Sequence, residues 1–171
     1  MIPTNIFLIG LMGSGKSSIG KLLAEHFEKD FVDSDDEIIK RTGVDIQTIF
    51  DIEGEDSFRE REQSVLGDLS KLHNIVLATG GGAVLRKENR DNLKKHGHVI
   101  YLKASAAQLF HRLRYDKSRP LLLTANPKAK LKTLLEERDA LYKETADWIL
   151  NSGSMRSCKT AATKIIRHLE K

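Results

Sequence analysis

Short runs of apolar residues alternate along this chain with longer segments in which apolar residues recur every three or four positions. The short runs are apolar throughout, as expected for parallel strands that are covered by helices on both faces of a sheet. Five strands are predicted in this way, at residues 5–10, 31–33, 75–78, 98–102 and 148–150.

The longer segments predict amphipathic helices at residues 16–28, 57–72 and 160–169. Ser105 and Gln108 have the spacing of a capping box, which predicts a further helix after the fourth strand. Regular alternation of strands and helices indicates a three-layer α/β fold with right-handed crossovers.

The first predicted strand leads into the sequence GLMGSGKS at residues 10–17, which matches the pattern GxxxxGK[ST]. The match has the required context because it follows a strand and opens a helix. Glycines let backbone N–H groups turn towards phosphates, and the helix N-terminus adds partial positive charge. We expect Lys16 to reach the β- and γ-phosphates and Ser17 to bind Mg²⁺. The candidate nucleotide-binding residues of this loop are Gly13, Ser14, Gly15, Lys16, Ser17 and Ser18.

Two acidic residues, Asp33 and Asp35, end the second predicted strand. Residues two apart in an extended chain face the same way, and the carboxyl ends of strands border the ligand crevice of open α/β sheets. We therefore expect the pair to serve Mg²⁺ and a hydroxyl nucleophile. No acid follows the third strand, so Asp33 is the candidate metal-side residue. An alternative, which can hold at the same time, is a capping box formed by Ser34 and Glu37.

The helix predicted at residues 57–72 carries Arg59 and Glu62 on the same stripe as Leu66 and Leu69. A charged pair therefore continues a buried face, and buried charges need partners. Either the two residues pair only with each other, or Glu62 orients Arg59 so that its planar guanidinium receives a ligand carboxylate.

Three consecutive glycines, Gly80, Gly81 and Gly82, come directly after the third predicted strand and Thr79. Such a run is too flexible for a purely structural turn unless the backbone closely approaches another group. We expect backbone N–H groups of this glycine loop to contact an anion.

Residues 114–127 contain two of the three prolines and show no clean period. A long irregular segment inside a compact domain is usually a functional lid or disordered. Three nearby arginines, Arg112, Arg114 and Arg119, favour a lid. We expect Arg119 to lie far from the phosphates while the lid is open.

The composition narrows the possible classes of function. The chain has 171 residues, the length of one domain, and its net charge of +4 is spread along the sequence without a basic block typical of nucleic-acid binders. Its apolar runs are too short for a signal peptide or a membrane span. Cys158 is the only cysteine, which excludes an intrachain disulfide and a cysteine-rich zinc site. We expect a cytoplasmic protein that binds neither nucleic acid nor membrane.

Taken in order, the segments GLMGSGKSS, DSD, FREREQ, ATGGGAV, SRPLL and ERDALY resemble the shikimate kinase family and span nearly the whole chain. The resemblance implies one P-loop kinase domain over residues 1–171, with a five-stranded parallel sheet of order 2-3-1-4-5. It implies a substrate-binding subdomain at about residues 33–62, a mobile lid at about residues 112–126, and a monomer. The implied reaction transfers a phosphoryl group from ATP to the 3-hydroxyl of shikimate, with one Mg²⁺ per subunit, on the route to chorismate and aromatic amino acids.

The resemblance also implies roles for individual residues. Lys16, Asp35 and Arg119 would be catalytic, with Asp35 acting as the base or positioner of the 3-hydroxyl. Arg59 and Arg138 would clasp the shikimate carboxylate. The implied shikimate-binding residues are Asp35, Arg59, Gly80, Gly81, Gly82 and Arg138.

On the nucleotide side, the resemblance adds Arg112, Arg119 and Arg156 to the P-loop residues. Arg112 and Arg156 would flank the adenine, although the segment around Arg156 departs from the family's pattern. Ser17 and Asp33 would serve the metal ion.

Other classes of protein share parts of this pattern. A sister kinase such as gluconate kinase would have the P-loop and the fold, but is not expected to combine Asp35, Arg59 and Arg138 with the triple glycine. A GTPase-type switch is suggested by DIEG at residues 51–54, which matches DxxG, yet the chain has no NKxD motif. A helix end capped by Gly54 explains that segment better. A regulatory module without activity would be free to lose these motifs, and all are present.

Overall fold

The computed structural model describes all 171 residues. Five parallel strands form one sheet in the order β2-β3-β1-β4-β5, which confirms the predicted topology. Each strand agrees with its predicted position to within one residue at either end. The strands are β1 (Ile6–Ile9), β2 (Asp30–Asp33), β3 (Ile75–Ala78), β4 (His98–Lys103) and β5 (Trp148–Asn151).

Seven helices cover both faces of the sheet and complete the predicted three layers. One buried apolar cluster packs α2 to α6 on one face, and a second packs α1 and α7 on the other. None of these helices is long and apolar enough to span a membrane. They are α1 (Lys16–His26), α2 (Ser34–Thr42), α3 (Ile46–Leu69), α4 (Lys87–His96), α5 (Ala106–Leu113), α6 (Pro127–Thr145) and α7 (Cys158–Leu169).

The structure corrects the interpretation of residues 33–35. Strand β2 ends at Asp33, and α2 begins at Ser34, so Asp33 and Asp35 do not lie on one extended segment. The N-cap is Asp33, whose Oδ1 accepts hydrogen bonds from the N–H groups of Asp35 (2.9 Å) and Asp36 (3.3 Å). The capping box predicted for Ser34 and Glu37 is therefore wrong. The carboxylate of Asp33 accepts hydrogen bonds from two free N–H groups of the first turn, so it caps the helix one residue before Ser34.

Helix α3 is interrupted at Gly54, which has φ 82° and ψ 174° and separates two helical segments. The predicted glycine at a helix end is thus confirmed, and the DIEG segment does not follow a strand as a GTPase switch would. Arg61 joins the two segments by donating to both oxygens of Glu53, at 2.9 and 2.8 Å.

Residues 114–126 form no helix or strand apart from the 3-10 turn Pro120–Leu122. Leu122 is buried in the apolar cluster that also contains Leu131 and Leu134 of α6. The segment predicted as a lid therefore packs on the core through Leu121 and Leu122.

Two glycines of α3 should respond in opposite ways to alanine. An added Cβ at Gly54 would meet nothing within 4 Å, so Gly54→Ala tests backbone conformation alone. Because that conformation is essentially restricted to glycine, we expect the free energy of unfolding to fall by about 1–3 kcal/mol. Gly67 lies in regular helix with room for a Cβ, so Gly67→Ala should raise it by about 0.5–1 kcal/mol. Urea unfolding followed by circular dichroism measures both, and a loss of stability in both variants would contradict this account.

Candidate active site

The loop between β1 and α1 holds Lys16 in a buried position. Gly13 and Gly15 take φ values of 82° and 98°, which turn the backbone around the side chain. The ammonium donates hydrogen bonds to the carbonyl oxygens of Gly10 (2.6 Å) and Leu11 (3.0 Å). Lys16 therefore points back onto the loop that would receive phosphates.

The charge of Lys16 is poorly compensated. Burial, followed by the positive charge of Arg119, lowers the pKa of Lys16 to about 8, while Asp35 and Asp33 oppose the shift. An anion brought next to this ammonium would favour its charged form. The loop is thus electrostatically suited to a phosphate group.

The two candidate metal-side residues are in direct contact. Ser17 Oγ donates a hydrogen bond of 2.7 Å to Asp33 Oδ2. The first turn of α1 and the end of β2 therefore bring together two side-chain oxygens beside the P-loop.

Asp35 lies in the first turn of α2 and faces the same crevice. Its Oδ1 is buried without a hydrogen-bond partner, and its Oδ2 lies 3.8 Å from Arg119 Nη1. Burial, followed by the charge of Asp33, raises the pKa of Asp35, and the charges of Arg119, Lys16 and Arg59 oppose this shift. The carboxyl thus has a free acceptor atom and an increased affinity for a proton.

Arg119 reaches the crevice from the segment predicted as a lid. It pairs with Asp35 and is close enough to Lys16 to lower the pKa of that ammonium. Its Nε also lies 3.5 Å from Asp116 Oδ2, in the same segment. Arg119 is thus held at the crevice by the carboxyl groups of Asp35 and Asp116.

Arg59 and Glu62 lie on the buried stripe of α3, as predicted, with 8% and 1% exposure. Arg59 Nη1 donates to Glu62 Oε1 at 2.8 Å, so the internal pair does form. Arg59 also donates to the half-exposed Glu55, but its Nε is buried with no partner. Burial raises the pKa of Glu62, an effect that the charge of Arg59 opposes. The pair leaves one buried donor of Arg59 unused.

Arg138 is buried in α6, with only 2% exposure, and has no acidic partner. Its Nε and Nη1 are both buried without a hydrogen bond. The signal in the sequence was its spacing from Leu131, Leu134 and Tyr142, which places a charge on an apolar stripe. Only the resemblance implies a role for Arg138, and its spacing along the helix is the signal that sequence reasoning missed.

The glycine loop at residues 80–82 is where these side chains converge. A Cβ on Gly82 would overlap the guanidinium of Arg59, and one on Gly80 would lie 2.7 Å from Glu62 Oε2 and 2.9 Å from Asp35 Oδ1. The prediction of a close approach to the backbone is therefore confirmed.

Not every N–H group of the glycine loop is free for an anion. The N–H of Gly80 donates to Ser34 Oγ at 3.0 Å, so that group already has an acceptor. Gly81 and Gly82 donate to no backbone acceptor. The Gly81 carbonyl accepts a hydrogen bond from Tyr142, whose pKa is raised to about 12 by burial. Sequence reasoning missed the contacts of Ser34 and Tyr142, because neither residue carries a motif for them.

The two arginines expected near the adenine differ in their surroundings. Arg112 donates to the carbonyl oxygens of Gly13 and Ser152, both at 3.0 Å. Arg156 is exposed in the segment between β5 and α7 and makes no hydrogen bond or ion pair. The structure thus brings Arg112 to the P-loop and leaves Arg156 outside the connected site.

A P-loop on the central strand of a parallel sheet of order 2-3-1-4-5, with arginines and acids along the same edge, defines the class of P-loop kinases. A solved gluconokinase from Sinorhizobium meliloti shares this architecture with a TM-score of 0.52 and 19% identity, covering 99% of this chain and 97% of that one. At that identity the likeness shows the fold alone.

More similar proteins identify the family. The family model for shikimate kinase matches residues 12–170. The shikimate kinase of Nitrosococcus oceani is 53% identical over 169 residues, which cover 99% of this chain and 88% of the relative. A solved structure, shikimate kinase from Acinetobacter baumannii in complex with shikimate, has a TM-score of 0.95 and 42% identity, covering 98% of this chain and 93% of that one. The chain belongs to the shikimate kinase family and is a phosphotransferase.

The link between Arg119 and Lys16 can be tested by titration. In Arg119→Ala, loss of the nearby positive charge should raise the pKa of Lys16 above about 8. Selective ¹³C labelling of lysine and the pH dependence of the Lys16 Cε shift would measure it. Arg114→Ala is the matched control, because Arg114 lies in the same segment but does not contribute to the shift. A Lys16 titration that is identical in wild type and Arg119→Ala would show that the two charges do not interact.

Proposed function

We propose that this chain transfers the γ-phosphoryl group of ATP to the 3-hydroxyl of shikimate, giving shikimate 3-phosphate and ADP, in the pathway to chorismate and the aromatic amino acids. The family membership and the shikimate named in the solved relative support this acceptor. The strongest support comes from the surroundings of Arg138, a buried cation with two nitrogens that have no hydrogen-bond partner.

An acceptor with a carboxylate would complete this part of the site. A buried charge without a partner is strongly unfavourable. Glu62 interacts electrostatically with both arginines but carries at most one negative charge. Arg138 Nη1 would lie 3.7 Å from a Cβ on Gly81, and Arg59 packs on Gly82, so both guanidinium groups border the same loop. A carboxylate between them would receive charge-assisted hydrogen bonds from both. Gluconate and shikimate both carry a carboxylate. The two arginines therefore select acceptors that have a carboxylate, and the position of the acceptor hydroxyl distinguishes one such acceptor from another.

Asp35 is the group proposed to handle the acceptor hydroxyl. The oxygen of the 3-hydroxyl forms a bond to the γ-phosphorus while the bond to the β,γ-bridging oxygen breaks. The hydroxyl proton passes to the free Oδ1 of Asp35 as the new bond forms. The raised pKa of Asp35 makes it a better acceptor for that proton.

The negative charge on the transferring phosphoryl group must be stabilised by cations that are already in position. The positive charges of Lys16 and Arg119 both lower the pKa of Asp35, so both cations are close to this carboxyl. Phosphoryl transfer depends chiefly on such positioning and charge stabilisation. On phosphate binding, Lys16 exchanges two carbonyl acceptors of the loop for an anion, and Arg119 remains near the attacking hydroxyl.

The oxygen donors beside the P-loop fit Mg²⁺. Ser17 and Asp33 would hold the ion, which, when bound, neutralises phosphate charge. No group of three or more His, Cys, Asp or Glu side chains could form a complete protein cage. This fits a metal that keeps several waters and takes its other ligands from phosphate oxygens.

The remaining assignments are part of the same proposal. Within one domain of residues 1–171, residues 33–62 serve as the substrate-binding subdomain and residues 112–126 as the lid. The first contains Asp35 and Arg59, and the second contains Arg112 and Arg119. Gly13, Ser14, Gly15 and Ser18 would line the phosphates, Arg112 and Arg156 would flank the adenine, and the enzyme would act as a monomer.

The acceptor can be tested with a panel of shikimate, quinate, gluconate and nucleoside monophosphates. ADP release with ATP and Mg²⁺ should be fastest with shikimate, and ³¹P NMR should place the product phosphorus on the 3-hydroxyl. Faster turnover of gluconate or of a monophosphate would refute the proposed acceptor while leaving the nucleotide site in place.

The carboxylate clasp can be tested at Arg138. Arg138→Met keeps much of the buried volume and removes the charge, so shikimate binding should weaken by about ten- to a hundredfold, the worth of a charge-assisted hydrogen bond. ADP affinity should change little. Calorimetry measures both ligands, with Arg61→Met, an exposed arginine paired with Glu53, as the control. If Arg138→Met binds shikimate as tightly as wild type, the clasp does not involve this residue.

A further inference from the structure

The segment after β5 reaches the P-loop through a buried serine. Ser152 opens the 3-10 turn Ser152–Ser154 and is 2% exposed. Its hydroxyl lies 3.2 Å from the carbonyl oxygen of Ser14 and 3.4 Å from that of Lys103. A hydroxyl has a single proton to donate, and the P-loop carbonyl is the nearer acceptor. A residue outside every recognised motif thus contacts the backbone of the nucleotide-binding loop.

Arg112 holds the neighbouring carbonyl group of the same loop. Its guanidinium bridges the carbonyl oxygens of Gly13 and Ser152, at 3.0 Å each. Two consecutive P-loop carbonyls, those of Gly13 and Ser14, are therefore bound by side chains of α5 and of the turn.

The turn is itself held firmly against α5. A Cβ on Gly153 would overlap the side chain of Gln108. Gln108 is fixed in turn by the capping box with Ser105, in which both reciprocal hydrogen bonds are present. Ser152 is thus presented to the P-loop by a turn that packs closely on α5.

The direction of a carbonyl determines the direction of the next N–H group. A trans peptide is planar, so its C=O and N–H point to opposite sides, and the chain contains no cis peptide. Because the Ser14 carbonyl faces Ser152, the Gly15 N–H points away from it, and this N–H donates to no backbone acceptor. Gly15 directly precedes α1, where the helix dipole favours an anion.

We propose that Ser152 is a positioning residue of the nucleotide site. Its hydroxyl fixes the peptide between Ser14 and Gly15, so that the Gly15 N–H is directed at a phosphate oxygen of the nucleotide. This role rests on the proposed function in one respect, because it requires that the P-loop binds a nucleotide. It holds whichever acceptor is phosphorylated.

Three variants separate this role from a general packing role. Ser152→Ala removes the hydroxyl, Ser152→Thr keeps it, and Ser154→Ala removes an exposed hydroxyl of the same turn that contacts only the Asn151 carbonyl. Calorimetry with ADP, in the absence of shikimate, should show a rise in Kd of about three- to tenfold for Ser152→Ala, the effect of one neutral hydrogen bond. Ser152→Thr and Ser154→Ala should bind ADP like the wild type.

Steady-state kinetics provide the second readout. In Ser152→Ala the KM for ATP should rise by the same factor as the Kd for ADP, while the KM for shikimate stays at the wild-type value. An unchanged Kd for ADP, or an equal loss of affinity for both substrates, would overturn the proposal. Failure of the chain to phosphorylate shikimate would refute the proposed function and leave the ADP measurement intact.

A third measurement needs no variant and so does not depend on Ser152→Ala being folded. The amide proton of Gly15 in the ¹H–¹⁵N spectrum of the wild-type protein should move downfield when ADP binds, because it gains an anionic acceptor. A Gly15 resonance that stays in place at saturating ADP would overturn the proposal as well.

Discussion

Buried positive charge along one edge of the sheet is the constraint on which this site depends. Lys16, Arg59 and Arg138 are each less than one-tenth exposed, whereas Glu62 is the only acid buried to the same degree. Buried charges without partners are strongly unfavourable, and two buried nitrogens of Arg138 have no hydrogen-bond partner. Such an arrangement is tolerable because the anions that complete it, phosphates and a carboxylate, come with the substrates.

The fold brings these charges together by placing glycines where charged side chains approach the backbone closely. The glycine loop after β3 leaves room for the guanidinium of Arg59 and for the carboxyl groups of Glu62 and Asp35. Apolar clusters on both faces of the sheet hold the three carboxyl strand ends, β1, β2 and β3, at one edge. The stability of those clusters offsets the unfavourable electrostatics of the crevice.

Several features were predictable because their cause is local. The P-loop, the capping box of α5 and the burial of Arg59 with Glu62 follow from spacing along one element. The start of α2 was predicted wrongly, because Asp33 competes with Ser34 for the same free N–H groups and the choice depends on where β2 ends. The ion pair between Arg119 and Asp35 could not be predicted, since it joins segments far apart in sequence.

The sequence by itself determined the class of fold, the nucleotide loop and the family, because these depend on hydrophobic period and on motifs that lie within single segments. Only the tertiary structure decided which polar groups remain free. Ser34 takes up the N–H of Gly80, Ser152 binds the carbonyl of Ser14, and the Nε of Arg138 is left unpartnered. Hydrogen bonds of this kind join residues that are 46 and 138 positions apart. Whether a polar group is satisfied depends on such distant partners, and no local pattern in the chain records them.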